Sequence, residues 1–232
     1  MTNRSVSAFL LLLGLGSFPL AKASSRELVP VSRDMLCVTE GEVSAAPQNQ
    51  LTVNVPKMRA YVNTETNADA EVRFTYLGAT AKDIPLGSGE MRRQFGLKLL
   101  AQDACNLVYV MWRFEPESKV VVSFKSNPGQ HISSECSNRG YTNIKARHST
   151  KVPAMAAAST HTLKASLYEQ DLQVLADGMV VWVGSVGLDA SQLHGPVGVR
   201  SDNARLNFTL EASYPGGRAV KSGPTCRNDA GE

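Results

Sequence analysis

Two acids, Glu169 and Asp171, are the residues of this 232-residue chain whose types and spacing come closest to catalytic chemistry. Side chains two apart on a strand lie on the same face, so a strand here would hold both carboxylates together. Cleavage of a glycosidic bond needs two carboxylates with complementary roles. The run Glu169-Gln170-Asp171 is also typical of a polar bend between two strands of a hairpin, and we favour the bend. No other catalytic residue is predicted.

The sequence contains few residue patterns that could bind a metal ion or a cofactor. The histidines lack HxH and HExxH spacing and the cysteines lack CxxC spacing, so the common zinc motifs are absent from the sequence. Asp177, Asp202 and Asn203 carry oxygen ligands of the kind that calcium prefers. Aspartate and asparagine are also common turn formers, and we favour turns at these positions. We therefore predict no metal and no cofactor, with a structural calcium ion as the alternative.

A second set of residues is suited to binding. Residues 107–114, 119–125 and 141–145 alternate apolar and polar positions, which predicts three strands, each with one apolar face. If these strands share a sheet, its other face presents Tyr109, Arg113, Ser123, Lys125, Tyr141 and Asn143. Aromatic rings pack on the C–H faces of sugars, while amide and cationic groups bond hydroxyls. The pattern predicts a saccharide-binding face; the alternative is an ordinary solvated sheet face.

The apolar face of the first of these segments predicts core positions at Val108, Val110, Trp112 and Phe114. Other short runs, which turn residues separate, span residues 70–76, 95–100, 162–168, 172–176 and 179–183. The dipeptide Asp177-Gly178 between the last two accepts the positive φ angles of a type I′ hairpin turn. Trp182 lies in a returning strand that is apolar on both faces, so we expect it in the core. Short alternating runs without a sustained helical period predict an all-β fold.

Residues 163–183 and 195–210 together resemble the C-terminal part of a concanavalin-like jelly roll. The second segment, Gly-Pro-Val-Gly-Val-Arg-Ser-Asp-Asn-Ala-Arg-Leu-Asn-Phe-Thr-Leu, is typical of two closing strands. The jelly roll is shared by laminin-G modules, legume-type lectins, some glucanases and 3-keto-disaccharide hydrolase-type domains. The resemblance implies an all-β, two-sheet antiparallel sandwich, in which some relatives hold a structural calcium through loop oxygens. Glu169 and Asp171 resemble only the first part of the acidic motif of some retaining glucanases.

The beginning of the chain predicts an export signal. Arg4 precedes an apolar run over residues 6–20, and Ala-Lys-Ala at 21–23 has the small-x-small pattern of a signal-peptidase site. The run is interrupted by glycine and proline and is shorter than the roughly 20 residues of a membrane span. We predict that residues 1–23 are a signal peptide, that no stable membrane insertion remains after cleavage, and that the protein is secreted or periplasmic.

Cleavage there would remove two cations and no acid, which lowers the formal net charge from +3 to about +1. A nearly neutral domain without clustered lysine or arginine lacks the electrostatic pattern of nucleic-acid binding. We therefore predict no nucleic-acid partner. All-β sandwiches of roughly 200 residues commonly form one domain. We expect a β-sandwich domain over residues 24–214 and a loose tail over residues 215–232 that Cys226 ties down.

The four cysteines all follow the predicted signal peptide, and an even count in an exported chain favours disulfides over metal binding. Three pairings are possible. We favour Cys105–Cys136, which closes a loop between nearby strands, together with Cys37–Cys226, which ties the chain ends together. Each bridge would contribute about 2–4 kcal/mol by restricting the unfolded chain. The sandwich is thus expected to be stabilised by disulfides.

Three functions remain compatible with these patterns. The favoured one is noncatalytic binding of a saccharide or envelope glycan, on which the polar and aromatic sheet face and the fold resemblance agree. The alternatives are a glycoside-cleaving enzyme of the same fold and a structural or protein-interaction component of the cell envelope. Two carboxylates that converge about 5–9.5 Å apart in a groove would favour the enzyme.

We expect no free thiol in the denatured, unreduced mature protein, because all four cysteines should be paired. Thiol titration in denaturant measures this directly, and a reduced sample serves as the control for thiol accessibility. Two or more free thiols in the unreduced sample would contradict the disulfide framework.

Overall fold

The alternating segments form strands, which the computed structural model places in two antiparallel sheets packed face to face. The structure describes residues 26–217 and Cys226. The predicted signal peptide, residues 1–23, and most of the predicted tail, residues 215–232, lie outside the described residues. Within the described ranges, no helix is long and apolar enough to cross a membrane.

The larger sheet has nine strands in the described part of the chain. They are β1 (Val29–Val31), β3 (Ser44–Ala46), β4 (Gln50–Val53), β6 (Asp69–Ala79), β11 (His148–Ser149), β12 (Thr160–Tyr168), β13 (Asp171–Ala176), β14 (Met179–Ser185) and β16 (Ala204–Ala212). The order across the sheet is β11-β14-β13-β12-β6-β16-β4-β3, and β1 also pairs with β16.

The smaller sheet has seven strands among the described residues. They are β2 (Leu36–Glu40), β5 (Lys57–Val62), β7 (Arg93–Leu99), β8 (Leu107–Glu115), β9 (Lys119–Lys125), β10 (Tyr141–Asn143) and β15 (Gly198–Asp202). Their order is β10-β9-β8-β7-β15-β5-β2. Short helices α1 (Ser133–Cys136) and α2 (Leu188–Ser191) and two 3₁₀ turns, Arg33–Met35 and Pro215–Gly217, lie between or after the strands.

The inner faces of the two sheets bury an aromatic core. Trp112 of β8 is fully buried, and its ring meets the ring of Phe74 from the opposite sheet edge-on, with centroids 5.9 Å apart. Phe74 also contacts Phe95 of β7 at 5.2 Å. The indole Nε1 donates to Ser118 Oγ at 2.9 Å, so burial leaves no polar group of the ring unbonded. The predicted core positions of Trp112 and Trp182 are confirmed.

The three segments whose faces were assigned from alternation do share one sheet. Tyr109 of β8 is aligned with Ser123 of β9, which is aligned with Asn143 of β10. The third strand is shorter than the predicted 141–145, because its antiparallel pairing with β9 ends at Asn143. The hairpin turn at Asp177-Gly178 is confirmed, since both residues have positive φ and the flanking residues pair.

The two strands predicted within residues 195–210 do not lie side by side. β15 pairs with β5 and β7 in the smaller sheet, whereas β16 pairs with β6 in the larger one. Asn203, with φ of 56°, is the single residue between them. Its amide accepts from the Ile84 N–H and donates to the carbonyl oxygens of Ile84 and Arg92. The chain thus crosses between the sheets at one residue whose side chain fixes the crossing.

Both favoured disulfides are present. Cys105–Cys136 links the segment just before β8 to α1, and Cys37–Cys226 links β2 to the C-terminal tail. No cysteine in the described part of the chain is free. The sandwich is therefore an all-β, disulfide-bonded fold, as the sequence predicts.

Replacing Trp112 by alanine should lower the free energy of unfolding by about 3–5 kcal/mol, because it removes a fully buried indole from the contact between the sheets. Chemical denaturation followed by circular dichroism measures the loss. Tyr168→Ala is the matched control, since that ring is 68% exposed and its removal should cost less than about 0.5 kcal/mol. Equal stability of Trp112→Ala and the parent would show that the faces are assigned the wrong way round.

Candidate functional site

A groove of about 640 Å³ runs over the outer face of the smaller sheet. This face points away from the core, and the alternation of β8, β9 and β10 directs their polar residues onto it. All residues of the predicted binding face line this groove: Tyr109, Arg113, Ser123, Lys125, Tyr141 and Asn143. The structure therefore brings the predicted set together on one surface.

Two tyrosine rings form the centre of the groove. The rings of Tyr109 and Tyr141 are stacked, with centroids 6.0 Å apart and planes inclined by 23°. Tyr141 keeps 39% of its surface exposed, whereas Tyr109 keeps only 3%. The expectation that the open sheet face presents both rings is wrong for Tyr109, because Tyr141 and the Arg200 guanidinium pack against its ring. Tyr109 is the floor of the groove, and Tyr141 is the ring that a ligand can reach.

Two cationic side chains lie against these rings. The Arg200 guanidinium lies 4.9 Å from the centre of the Tyr109 ring, and Lys125 Nζ lies 5.2 Å from the centre of the Tyr141 ring. Lys125 Nζ also donates to the Ala104 carbonyl oxygen at 3.0 Å. Burial acts to raise the pKa of Tyr141, but the charges of Arg200 and Lys125 outweigh it and lower the pKa. The tyrosine hydroxyl thus lies in a positive potential.

A buried ion cluster lies beneath the groove. Asp202 is fully buried at the end of β15, where one carboxylate oxygen accepts from Arg59 at 2.7 Å and the other from Arg200 at 2.8 Å. Gln94 Nε2 donates to the second oxygen at 2.6 Å. Burial acts to raise the pKa of the Asp202 carboxyl, yet the charges of Arg200 and Arg59 hold it well below its usual value.

A glycine lets Arg200 reach the tyrosine floor. β7 lies between β15 and β8, and its Gly96 is aligned with Arg200 on one side and Met111 on the other. Without a side chain at 96, the guanidinium can pass over β7 to the Tyr109 ring. A Cβ at this position would lie 2.1 Å from the Val110 carbonyl oxygen, so β7 and β8 also approach closely because residue 96 is glycine.

Sequence patterns do not predict Arg59, Gln94 and Arg200 as residues of the candidate site, although the structure places them there. Alternation along residues 57–62 does set Lys57, Arg59 and Tyr61 opposite an apolar face, so part of the signal was present. What the sequence does not contain is the order β8-β7-β15-β5, which brings these positions beside Tyr109. Asp202 was considered as a calcium ligand, but its oxygens bond to two guanidinium groups and an amide instead.

The other calcium candidates have local partners as well. Asn203 bonds to Ile84 and Arg92 at the sheet crossing. Asp177 accepts from the Thr162 N–H and lies 2.7 Å from His161 Nδ1. Among the described residues, no group of three or more histidine, cysteine or acidic side chains is arranged to hold a metal ion.

Glu169 and Asp171 do not share a strand face. Tyr168 pairs with Asp171, which leaves Glu169 and Gln170 as the two turn residues of the β12–β13 hairpin, with Glu169 at a φ of 52°. Asp171 opens β13 and is ion-paired with Arg147 at 2.7 Å. Both lie in the larger sheet, away from the groove of the smaller one. The favoured interpretation as a polar bend agrees with this geometry, and the shared strand face does not.

Ser159, His161 and Asp177 have the spacing of a Ser-His-Asp triad. His161 Nδ1 lies 2.7 Å from Asp177 Oδ2, and Nε2 lies 2.9 Å from Ser159 Oγ. Ser159 Oγ also lies 2.6 Å from the Ala156 carbonyl oxygen, which can only accept. The hydroxyl therefore donates to the Ala156 carbonyl oxygen, so the hydrogen that a general base would have to accept is bound to a backbone acceptor instead. This network fixes the turn before β12.

Two loops from opposite ends of the sheet form the walls of the groove. One wall carries Ser133 and Asn138, and the Cys105–Cys136 disulfide fastens this loop to the start of β8. The other wall precedes β7 and carries Gly87. A Cβ on Gly87 would lie 3.2 Å from the Cβ of Asn138, so the two loops touch above the sheet.

The wall that carries the disulfide is further braced by polar contacts. Asn106 accepts from the Asn127 N–H at 2.8 Å and donates to the Gln130 carbonyl oxygen at 2.8 Å. His131 Nδ1 lies 2.8 Å from Asp103 Oδ2, and this hydrogen bond and the charge of Asp103 raise the pKa of His131. The loop between β9 and β10 is therefore a fixed wall of the groove.

Comparison with solved structures identifies the class of fold. The chain is similar to the carbohydrate-binding module CBM66 from Bacillus subtilis, with a TM-score of 0.52 and 12% identity over 75% of this chain and 91% of the module. It is also similar to the carbohydrate recognition domain of Emp46p, with a TM-score of 0.50 and 10% identity over 78% of this chain and 88% of that domain. No protein-family model and no curated protein sequence matches the chain. The protein is a jelly-roll β-sandwich of the architecture that these carbohydrate-binding domains have.

Asp202→Asn should lower the free energy of unfolding by about 3–5 kcal/mol, because it removes the buried negative charge that two buried arginines share. Asp171→Asn is the matched control and should cost at most about 1 kcal/mol, since its ion pair is exposed. Urea denaturation at pH 7 measures both.

The difference in stability between the parent and Asp202→Asn should depend on pH. Because the folded-state pKa of Asp202 is depressed, its stabilisation is present above the unfolded pKa of about 3.9 and is lost as the pH falls further. The stability gap between the parent and Asp202→Asn should therefore narrow below about pH 4. A gap that stays constant from pH 7 to pH 3 would contradict the proposed charge pairing.

Proposed function

We propose that this protein binds a saccharide in the groove over the smaller sheet, without cleaving it. The observation that supports this most directly is the Tyr141 ring, which is reachable from the groove and is held in place from behind. The fold is also one that carbohydrate-binding domains have. We further propose that the protein belongs to the concanavalin-like group of jelly rolls, as residues 163–183 and 195–210 indicate.

The stacking geometry favours sugar binding at Tyr141. Tyr109 packs against the ring, and the cation of Lys125 lies near it, so little conformational freedom is left to lose when a ligand arrives. The exposed part of an aromatic ring offers the apolar face against which sugar C–H groups pack. A preorganised ring is therefore the natural platform for one sugar unit.

Polar groups around the ring can bond sugar hydroxyls. Ser123 and Asn143 are aligned on neighbouring strands and line the groove next to the tyrosines. Hydroxyl groups of Ser133, Ser134 and Ser137 face the same space from the wall fastened by the disulfide. Hydroxyl and amide groups both donate and accept, which suits them to the hydroxyls of a sugar.

The acids of the groove favour binding over hydrolysis. Among the described residues that line it, the carboxylates are Glu40 and Glu90. Glu90 is ion-paired with Arg92, and Glu40 lies 3.9 Å from Arg59. Each acid is thus held by an arginine, and the stronger acid pair suggested by sequence, Glu169 and Asp171, belongs to the other sheet.

We also propose that the protein works outside the cytoplasm, in the periplasm or as a secreted protein. The two disulfides support this, because such bonds form and persist in oxidising compartments. The disulfide at Cys105 braces a wall of the groove, which suits a binding site that must keep its shape outside the cell. A glycan array with purified protein would identify the ligand.

Tyr141→Ala should weaken binding of a glycan found on such an array by roughly 1 kcal/mol or more, because the ring loses its apolar contact with the sugar. Isothermal titration calorimetry measures the affinity. Tyr141→Phe should retain most of it, and Tyr168→Ala, which removes an exposed tyrosine of the other sheet, should leave it unchanged. Unchanged affinity in Tyr141→Ala would discard the groove as the saccharide site.

A separate assay on the same glycan tests for hydrolysis. A reducing-sugar assay on the same glycan should detect no product from the parent protein, and Glu169→Gln should bind as the parent does. Product formation that Glu169→Gln abolishes would place the protein among glycoside-cleaving enzymes.

A further inference from the structure

The groove is more cationic than the chain as a whole. Its described lining carries six cations and two acids, whereas the whole chain has a formal net charge of +3. The cations come from several strands and one loop: Lys57, Arg59, Arg92, Arg113, Lys125 and Arg200. A neutral sugar does not need such a concentration of charge.

Most of the arginines in this set have an acidic partner. Arg59 and Arg200 share the buried carboxylate of Asp202. Arg92 is ion-paired with Glu90 in the wall before β7. These three guanidinium groups are therefore largely compensated within the protein.

Arg113 differs from the other arginines of the groove. No acid of the described chain lies within ion-pair distance of its guanidinium, and its Nε is buried without a hydrogen-bond partner. Burial lowers the pKa of Arg113, and the nearby charges of Arg92 and Arg200 lower it further, against a smaller opposing effect of Glu90. A half-buried cation is thus placed beside like charges, with a donor left unused.

An oxyanion would relieve this arrangement. A cation beside other cations raises the free energy of the empty groove, and a bound anion offsets that repulsion. The planar guanidinium donates two parallel hydrogen bonds to a carboxylate, sulfate or phosphate, and such charge-assisted bonds are stronger than neutral ones.

We propose that the ligand of this groove is an acidic saccharide, whose carboxylate, sulfate or phosphate substituent is bound by Arg113. The inference rests on the proposed saccharide function and narrows its substrate class. It divides the groove into two parts, because Tyr141 takes the ring of a sugar and Arg113 takes an oxyanion that the glycan carries.

The test compares charged and neutral forms of the same polymer. Three pairs distinguish the source of the anion: polygalacturonate with its methyl ester, dextran sulfate with dextran, and a phosphorylated mannan with the unphosphorylated mannan. Calorimetry at near-physiological salt measures binding to disulfide-bonded protein. The variants are Arg113→Gln, Arg113→Lys and the control Arg73→Gln, which removes an exposed arginine from the outer face of the larger sheet.

We expect the charged member of at least one pair to bind about tenfold or more tightly than its neutral counterpart. Arg113→Gln should abolish this preference, Arg113→Lys should keep part of it, and Arg73→Gln should leave it unchanged. The preference should also shrink as salt is added. Thermal unfolding of each variant shows that the fold is retained.

The possible failures separate the two proposals. If neutral and charged polymers bind equally, and Tyr141→Ala but not Arg113→Gln weakens both, the acidic class is overturned and the saccharide site stands. If no polymer binds, but inorganic sulfate or phosphate causes shifts of groove resonances in NMR spectra that Arg113→Gln removes, the saccharide function is overturned and the anion site stands. If neither polymers nor anions bind, both proposals fail.

Discussion

The buried carboxylate of Asp202 is the constraint on which both the smaller sheet and its groove depend. An isolated buried charge is strongly unfavourable, so Asp202, Arg59 and Arg200 can be buried only together. Their strands are β5 and β15, and Gln94 of β7 completes the bonds to the same carboxylate. A slip of either neighbouring strand would separate these groups, so the cluster specifies the register of three strands. The next residue, Asn203, takes the chain into the other sheet.

From this cluster a chain of side-chain contacts leads to the surface of the groove. The carboxylate holds Arg200, the guanidinium lies over Tyr109, and Tyr109 stacks against Tyr141. Gly96 keeps the path of Arg200 open. In the floor of the groove, stability and the proposed binding are therefore coupled, because a change there alters packing as well as the surface offered to a ligand. Tyr141 and Arg113, to which the proposals assign the sugar ring and the oxyanion, are the positions where the two effects can be separated.

Sequence patterns predicted the fold and part of the candidate groove because both depend on local alternation. The period-two pattern of β8, β9 and β10 assigned Trp112 to the core and Tyr109 to the outer face, and the strands that follow one another in sequence are neighbours in the sheet. Alternation failed where neighbours are distant in sequence. β7, β15 and β5 are neighbours in the sheet but are far apart in sequence. The period-two pattern therefore does not show that Arg200 and the ion pairs of Asp202 are parts of the candidate site. Tyr109 is covered by Tyr141 and Arg200, and the periodicity of one strand does not show which residues of other strands cover it.

Net charge illustrates the same limit. A chain with a formal net charge of +3 gives no reason to expect an anionic ligand, because the sum does not record where the charges lie. Folding separates the positive from the negative charges. Lys57, Arg113 and Arg200 are far apart in sequence but line one groove, whereas Glu169 and Asp171 lie on the β12–β13 hairpin of the larger sheet. Within a groove roofed by two loops these charges are screened less than on an open surface. The charge that the groove offers to the proposed ligand therefore depends on the strand order that brings these cations together, and composition alone does not show it.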